Sequence, residues 1–151
     1  MSETLKQRLQ DDMKAAMRAK AAERLGTIRL IMAAIKQREV DERIQLDDAQ
    51  VIDVLTRMVK QRRDSLAQYQ QAGRQDLADQ EAAELALIDE YLPPALDDAE
   101  LDDIIADAIS QTGAQSPQDM GKVMGQLKPK IQGRADMGKV SAMVKARLTS
   151  A

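Results

Sequence analysis

The sequence predicts an all-α protein: an N-terminal bundle of about four helices, then a small C-terminal three-helix domain. Three observations carry this. Strong helix formers (Ala, Leu, Gln, Glu, Lys, Arg) dominate, and Tyr69 and Tyr91 are the only aromatics. Apolar residues recur every three to four positions rather than every two. Composition changes at Pro93-Pro94, where two prolines stop a helix and stiffen a short linker. The domains are therefore expected at 1–92 and 93–151, each with a modest core.

Ser2 or Thr4 caps a first helix running to about Ala21, with Leu5, Leu9, Met13, Ala16 and Met17 inward. A second helix spans about Glu23 to Ile44, with Leu25, Ile28, Ile31, Met32 and Ile35 as its stripe. No Gly or Pro separates the two, and a short turn is expected there. Asp47 or Asp48 caps the third helix, and Gly73 ends it. Its inner face carries Val51, Ile52, Leu55, Met58, Val59, Leu66 and Tyr69. Arg62 falls on the same face. A charge pointing inward is costly unless paired or snorkelling. Arg62 should therefore meet Glu81 or Glu84 of the fourth helix, about Gln75 to Tyr91, whose stripe is Leu77, Leu85, Ile88 and Leu92.

After the prolines, Asp97 caps a fifth helix with Leu101, Ile104, Ile105 and Ala108 inward, closed by Gly113. Ser116-Pro117 opens the sixth. Met120, Val123, Met124, Leu127 and Ile131 form its core face, and Pro129 bends or ends it. Asp136 caps the seventh, with Val140, Met143, Val144 and Leu148 inward.

There is no Cys and no His. This excludes thiol nucleophiles, disulfides, Cys/His zinc sites and imidazole acid–base chemistry. The start, MSETLKQRLQ, has no apolar h-region, and no apolar run approaches a membrane span. A cytoplasmic protein without membrane contact is expected. Asp47-Asp48 and Asp102-Asp103 stand near helix beginnings, where acids offset the macrodipole, so no metal site is expected. Met17, Met58, Met124 and Met143 read as core filler.

Net charge is −3, but its distribution is uneven. Residues 93–119 hold seven acids and no base; residues 120–151 hold seven bases and one acid. The two parts neutralise each other by packing, or the basic part faces a polyanion. The basic part holds the most distinctive stretch, DMGKVMGQLKPKIQGRADMGKV (119–140), with four of the seven glycines and an Asp-Met-Gly-Lys-Val repeat at 119–123 and 136–140. Gly121 and Gly125 lie four apart, on one side of a helix, where each costs roughly 1 kcal/mol relative to Ala. Two readings offset that cost. Helices approach closely where Cβ is missing. Alternatively, the backbone, with Gly133, approaches a phosphate or ribose while Lys122, Lys128, Lys130, Arg134 and Lys139 supply charge. Neither a P-loop nor a dinucleotide fingerprint matches. The cluster Arg57, Lys60, Arg62, Arg63 has the same two readings, with a solvated helix face as the default.

The stretches ERLGTIRLIMAAIKQREV (23–40), VKQRRDSLAQYQQAGRQDLADQE (59–81), EYLPPALDDAEL (90–101) and DMGKVMGQLKPKIQGRAD (119–136) resemble the YqeY family, also called GatB/YqeY proteins, in collinear order over nearly the whole chain. The resemblance implies an all-helical protein. It also implies a C-terminal domain similar to the tail of the B subunit of the glutamine-dependent Asp/Glu-tRNA amidotransferase, where the tail helps hold tRNA. A carbon–nitrogen ligase label with glutamine as amido-N-donor commonly travels with the family. The residues speak against it for the isolated chain, which has no Ser-rich amidase signature and no nucleotide-binding loop. The expectation is an accessory module with no catalytic residue and no cofactor. Its expected partner is tRNA, a tRNA-handling enzyme or an amidotransferase subunit. The alternatives are a protein-interaction module without a nucleic-acid role, and a ligase component acting within a complex. The basic domain has no aromatic on which unstacked bases could stack, so RNA contact would run through phosphates and shape.

Overall fold

The computed structural model describes residues 3–150, and the described residues are all-helical: seven α-helices and one 3-10 turn. The chain divides into two compact units, Met1–Leu92 and Pro93–Ala151.

The first unit contains α1 (Leu5–Arg18), α2 (Ala22–Glu42), α3 (Asp48–Gln71) and α4 (Gln75–Asp89). Thr4 and Asp47 begin α1 and α3 with reciprocal caps. Each side chain accepts the backbone N–H three residues on, from Gln7 or Gln50, and that glutamine accepts the cap's own N–H. The expected cap at Ser2 lies outside the described residues. Leu9, Ile28, Ile31, Val51, Leu55 and Ile88 are fully enclosed in one core. Met17 departs from its expected inward position and is 50% exposed. It lies in the last turn of α1, just before the chain reverses, and Ala16 takes the buried place.

The break between α1 and α2 is a turn in which Lys20 adopts φ 56, and Arg43 adopts the same φ after α2. Both close their helix as Gly73 does after α3: the next residue's N–H reaches back five residues, Ala21 to Ala16, Ile44 to Glu39 and Arg74 to Tyr69. A left-handed L-residue costs roughly 1–2 kcal/mol, which these backbone hydrogen bonds help to offset.

The inward arginine is paired: Arg62 Nε donates to Glu84 Oε2 at 3.1 Å, bridging α3 and α4. Glu81 keeps a buried Oε2 with no hydrogen-bond partner among the described residues. Burial, reinforced by the Glu84 charge, raises its pKa. At the end of α4, Tyr91 is buried and its hydroxyl donates to Asp12 at 2.5 Å. The Arg8 guanidinium lies 4.5 Å from its ring centre.

The second unit contains α5 (Asp98–Thr112), a 3-10 turn (Pro117–Asp119), α6 (Met120–Ile131) and α7 (Met137–Ser150). Asp97 caps α5 by accepting the Glu100 N–H at 2.8 Å, and Gly113 ends it at φ 69. Leu101, Ile105, Val123, Leu127, Ile131, Val140, Val144 and Leu148 make its core. This core is purely apolar, and three helices share it.

Candidate nucleic-acid interface

Helix α6 positions the central residues. Val123, Leu127 and Ile131 anchor one side in the core, which turns Gly121, Lys122, Gly125, Lys128, Pro129 and Lys130 to solvent. At 100° per residue, Gly121, Gly125 and Pro129 form one line along the outer face. Lys128 falls on one side of that line and Lys122 on the other, with Lys130 further round. A Cβ built at Gly121 or Gly125 meets nothing within 4 Å. Close packing of helices within the described chain therefore does not account for either glycine. Pro129 has no N–H to give the carbonyl of Gly125 four residues earlier. The outer face is thus a strip of accessible backbone between lysines.

Among the described residues no ion pair involves Lys122, Lys128 or Lys130. Lys128 and Lys130 stand in the last turn of α6, where cations complement the helix dipole. Lys122 lies near Asp119, whose pKa is lowered first by the Gln115 N–H its carboxylate accepts at 2.9 Å, and further by Lys122.

The other two expected cations are engaged. Lys139 of α7 binds the Asp98 carboxylate of α5, and Arg147 reaches Asp102 at 3.6 Å. Two acids of the acidic part therefore pair with two bases of the basic part, both on α7. Arg134 is half-buried. Its Nε donates to the Pro94 carbonyl at 3.0 Å, and its own carbonyl accepts the Leu96 N–H at 2.8 Å. It straps residues 94–96 to the turn after α6. Gly133 sits in that turn at φ 75, which is sufficient reason for a glycine there. The structure thus sets Lys122 and Lys128 beside Gly121 and Gly125, leaves Lys130 exposed further round the same helix, gives Arg134 and Lys139 internal partners, and places Gly133 in a turn. Two features were missed in the sequence. Arg147 shares the fate of Lys139, and the Gly125–Pro129 spacing of four, legible in principle, marks the carbonyl that loses its helical donor.

Among the described residues no group of three or more acids could hold a metal ion, and no helix is long and apolar enough to cross a membrane.

The family model for Yqey-like protein matches residues 6–148. The chain belongs to the Yqey-like family. Its relatives include three fungal proteins named altered inheritance of mitochondria protein 41, mitochondrial. The one from Pyrenophora tritici-repentis is 30% identical over 85% of this Yqey-like chain and 71% of its own length. That from Meyerozyma guilliermondii is 35% identical over 79% and 64% respectively, and that from Kluyveromyces lactis 37% identical over 55% and 45%. The chain thus spans from under half to about seven-tenths of these relatives' lengths. Their names overturn the expectation of a cytoplasmic protein, because these relatives are mitochondrial by name. That expectation rested on a missing secretory h-region and a missing membrane span, and neither separates cytosol from mitochondrion.

Proposed function

We propose that this Yqey-like protein is a non-catalytic helical module that binds tRNA through its phosphate backbone, using the outer face of α6. The observation that carries the proposal is the sorting of charge. Lys122, Lys128 and Lys130 are exposed without an ion partner among the described residues, beside a backbone strip that nothing covers. A bare strip admits a ribose–phosphate chain to van der Waals distance, and flanking ammonium groups supply sequence-independent attraction. With no aromatic in this unit, base stacking contributes nothing, so recognition is of shape and charge. Lys139 and Arg134 stand outside the primary surface because their side chains already have partners.

The test is a titration of the purified protein against bulk tRNA at 50 and 200 mM salt. Three phosphate contacts give a log–log slope of about −2.1 to −2.7, hence binding about 20- to 40-fold weaker at the higher salt. Micromolar binding with that dependence supports the proposal. No binding at low salt, or a salt-insensitive affinity, refutes it and moves attention to a protein partner for the same face.

A further inference from the structure

The second unit carries seven bases in residues 120–151, yet α5 returns most of that charge as carboxylate. The return is selective. Asp98 and Asp102 lie one turn apart on α5 and engage Lys139 and Arg147 of α7. Asp103 and Asp107 of the same helix are exposed, and no ion pair involves them among the described residues. The α6 lysines receive no carboxylate in this way. The engaged groups are far from buried: the side chains of Lys139 and Asp98 are 51% and 76% exposed, and those of Arg147 and Asp102 43% and 54%. Exposed pairs contribute at most about 1 kcal/mol to a fold. Stability is therefore a weak reason for two ion pairs between α5 and α7, whereas their effect on the surface potential is first-order.

We infer that Asp98 and Asp102 act as an intramolecular stand-in for phosphate, withholding Lys139 and Arg147 from RNA and so narrowing the phosphate-binding footprint of this unit. This rests on the proposed function and adds to it what sets the extent and strength of the contact. The α5 carboxylates present to α7 the same chemistry as a phosphate strand, two anionic oxygen acceptors, one for each of two cations. They are covalently tethered, so they compete at high effective concentration. A phosphate backbone reaching this unit meets Lys139 and Arg147 already engaged, whereas Lys145 of α7 and the α6 lysines are exposed with no ion pair among the described residues.

The test compares two double variants that change net charge equally. D98N/D102N releases the α7 cations; D103N/D107N removes carboxylates that no cation engages. Both are titrated with bulk tRNA over a salt series, with helicity checked by circular dichroism. D98N/D102N should bind more tightly at low salt, with a log–log slope steeper by about 1.4 to 1.8, as two added phosphate contacts require. D103N/D107N should keep the wild-type slope. Equal slopes in the two variants, with the wild type binding, overturn the inference and leave the RNA module standing. Failure of the wild type to bind at low salt overturns both. A further variant, K139A/R147A, covers the case in which D98N/D102N does not fold. Its tRNA affinity should stay within about twofold of wild type, since those cations are withheld. A loss of tenfold or more would show them already in contact with RNA, which also overturns the inference.

Discussion

Asp119–Val123 and Asp136–Val140 are the same five residues, Asp-Met-Gly-Lys-Val, and each leads into a helix of the same small bundle. Their last members agree: Val123 and Val140 are both fully buried. Everything that faces outward differs. Asp119 ends the 3-10 turn at near-helical φ −86, ψ 1, and its carboxylate turns back to accept the Gln115 N–H. Asp136 follows the turn made by Gly133 and accepts the N–H groups of Gly138 and Lys139 at 3.4 and 3.3 Å, capping α7. Lys122 is exposed without an ion pair among the described residues, whereas Lys139 is held by Asp98. The lesson is that local sequence decides which residue enters the core, while the neighbouring helix decides whether a surface charge is free.

The largest expected effects probe the likeness. Val123→Ala and Val140→Ala should each destabilise the C-terminal unit by about 2–3 kcal/mol, the loss of two buried methyl groups plus a residual cavity. Urea titrations followed by circular dichroism measure this, and costs differing by more than about 1 kcal/mol would break the equivalence of the repeats.

The next effects probe the difference between the aspartates. Asp136→Ala removes a cap and should cost about 1 kcal/mol at neutral pH. Asp119 acts through a lowered carboxyl pKa. Its contribution is complete above the ordinary aspartate value of 3.8 and is lost as pH falls through the depressed folded value. Thermal melts from pH 6 down to 2 should show this acid-range loss in wild type and its absence in Asp119→Asn.

Smaller effects, with the sign reversed, are expected at the glycines. Gly121→Ala and Gly125→Ala should stabilise α6, by at most about 1 kcal/mol each, since a methyl meets open space. Gly138→Ala places its Cβ 3.5 Å from the Asp136 carboxylate and should gain less. If α6 approaches RNA through its bare strip, Gly125→Ala also weakens tRNA binding while raising the melting temperature, an opposition that packing alone does not produce. The smallest effects belong to the lysines. Lys139→Ala should cost below about 1 kcal/mol and Lys122→Ala nothing measurable, both read as shifts in melting temperature.

Much of the fold was legible because it is written locally. Thr4, Asp47, Asp97 and Asp136 cap as their positions require, and Gly73 and Gly113 end helices in the left-handed conformation that glycine favours. The Arg62–Glu84 pair was legible from the cost of an inward charge. The turns at Lys20 and Arg43 carry no such mark, since the positive φ falls on residue types that do not prefer it. In the α4 stripe, Ala78 and Leu87 are buried although the periodic reading centred on Leu77 and Leu85, because α4 packs against both α2 and α3. The candidate surface was half legible. Lysine-rich α6 stood out from spacing alone. The bond from Arg134 to Pro94, forty residues distant, and the capture of Lys139 by Asp98 depend on which helices meet, which no local pattern records.

The most direct test of the central claim sets α6 against the other basic face of the molecule. Arg57, Lys60 and Arg63 are exposed on α3 of the first unit and carry the same formal charge as Lys122, Lys128 and Lys130. K122A/K128A/K130A and R57A/K60A/R63A, both confirmed folded, would be titrated with tRNA beside wild type at low salt. Loss of binding in the α6 variant, with binding by the α3 variant near wild type, is the predicted result. Equal weakening in both would show that net charge, not the α6 surface, governs the contact, and would contradict the account.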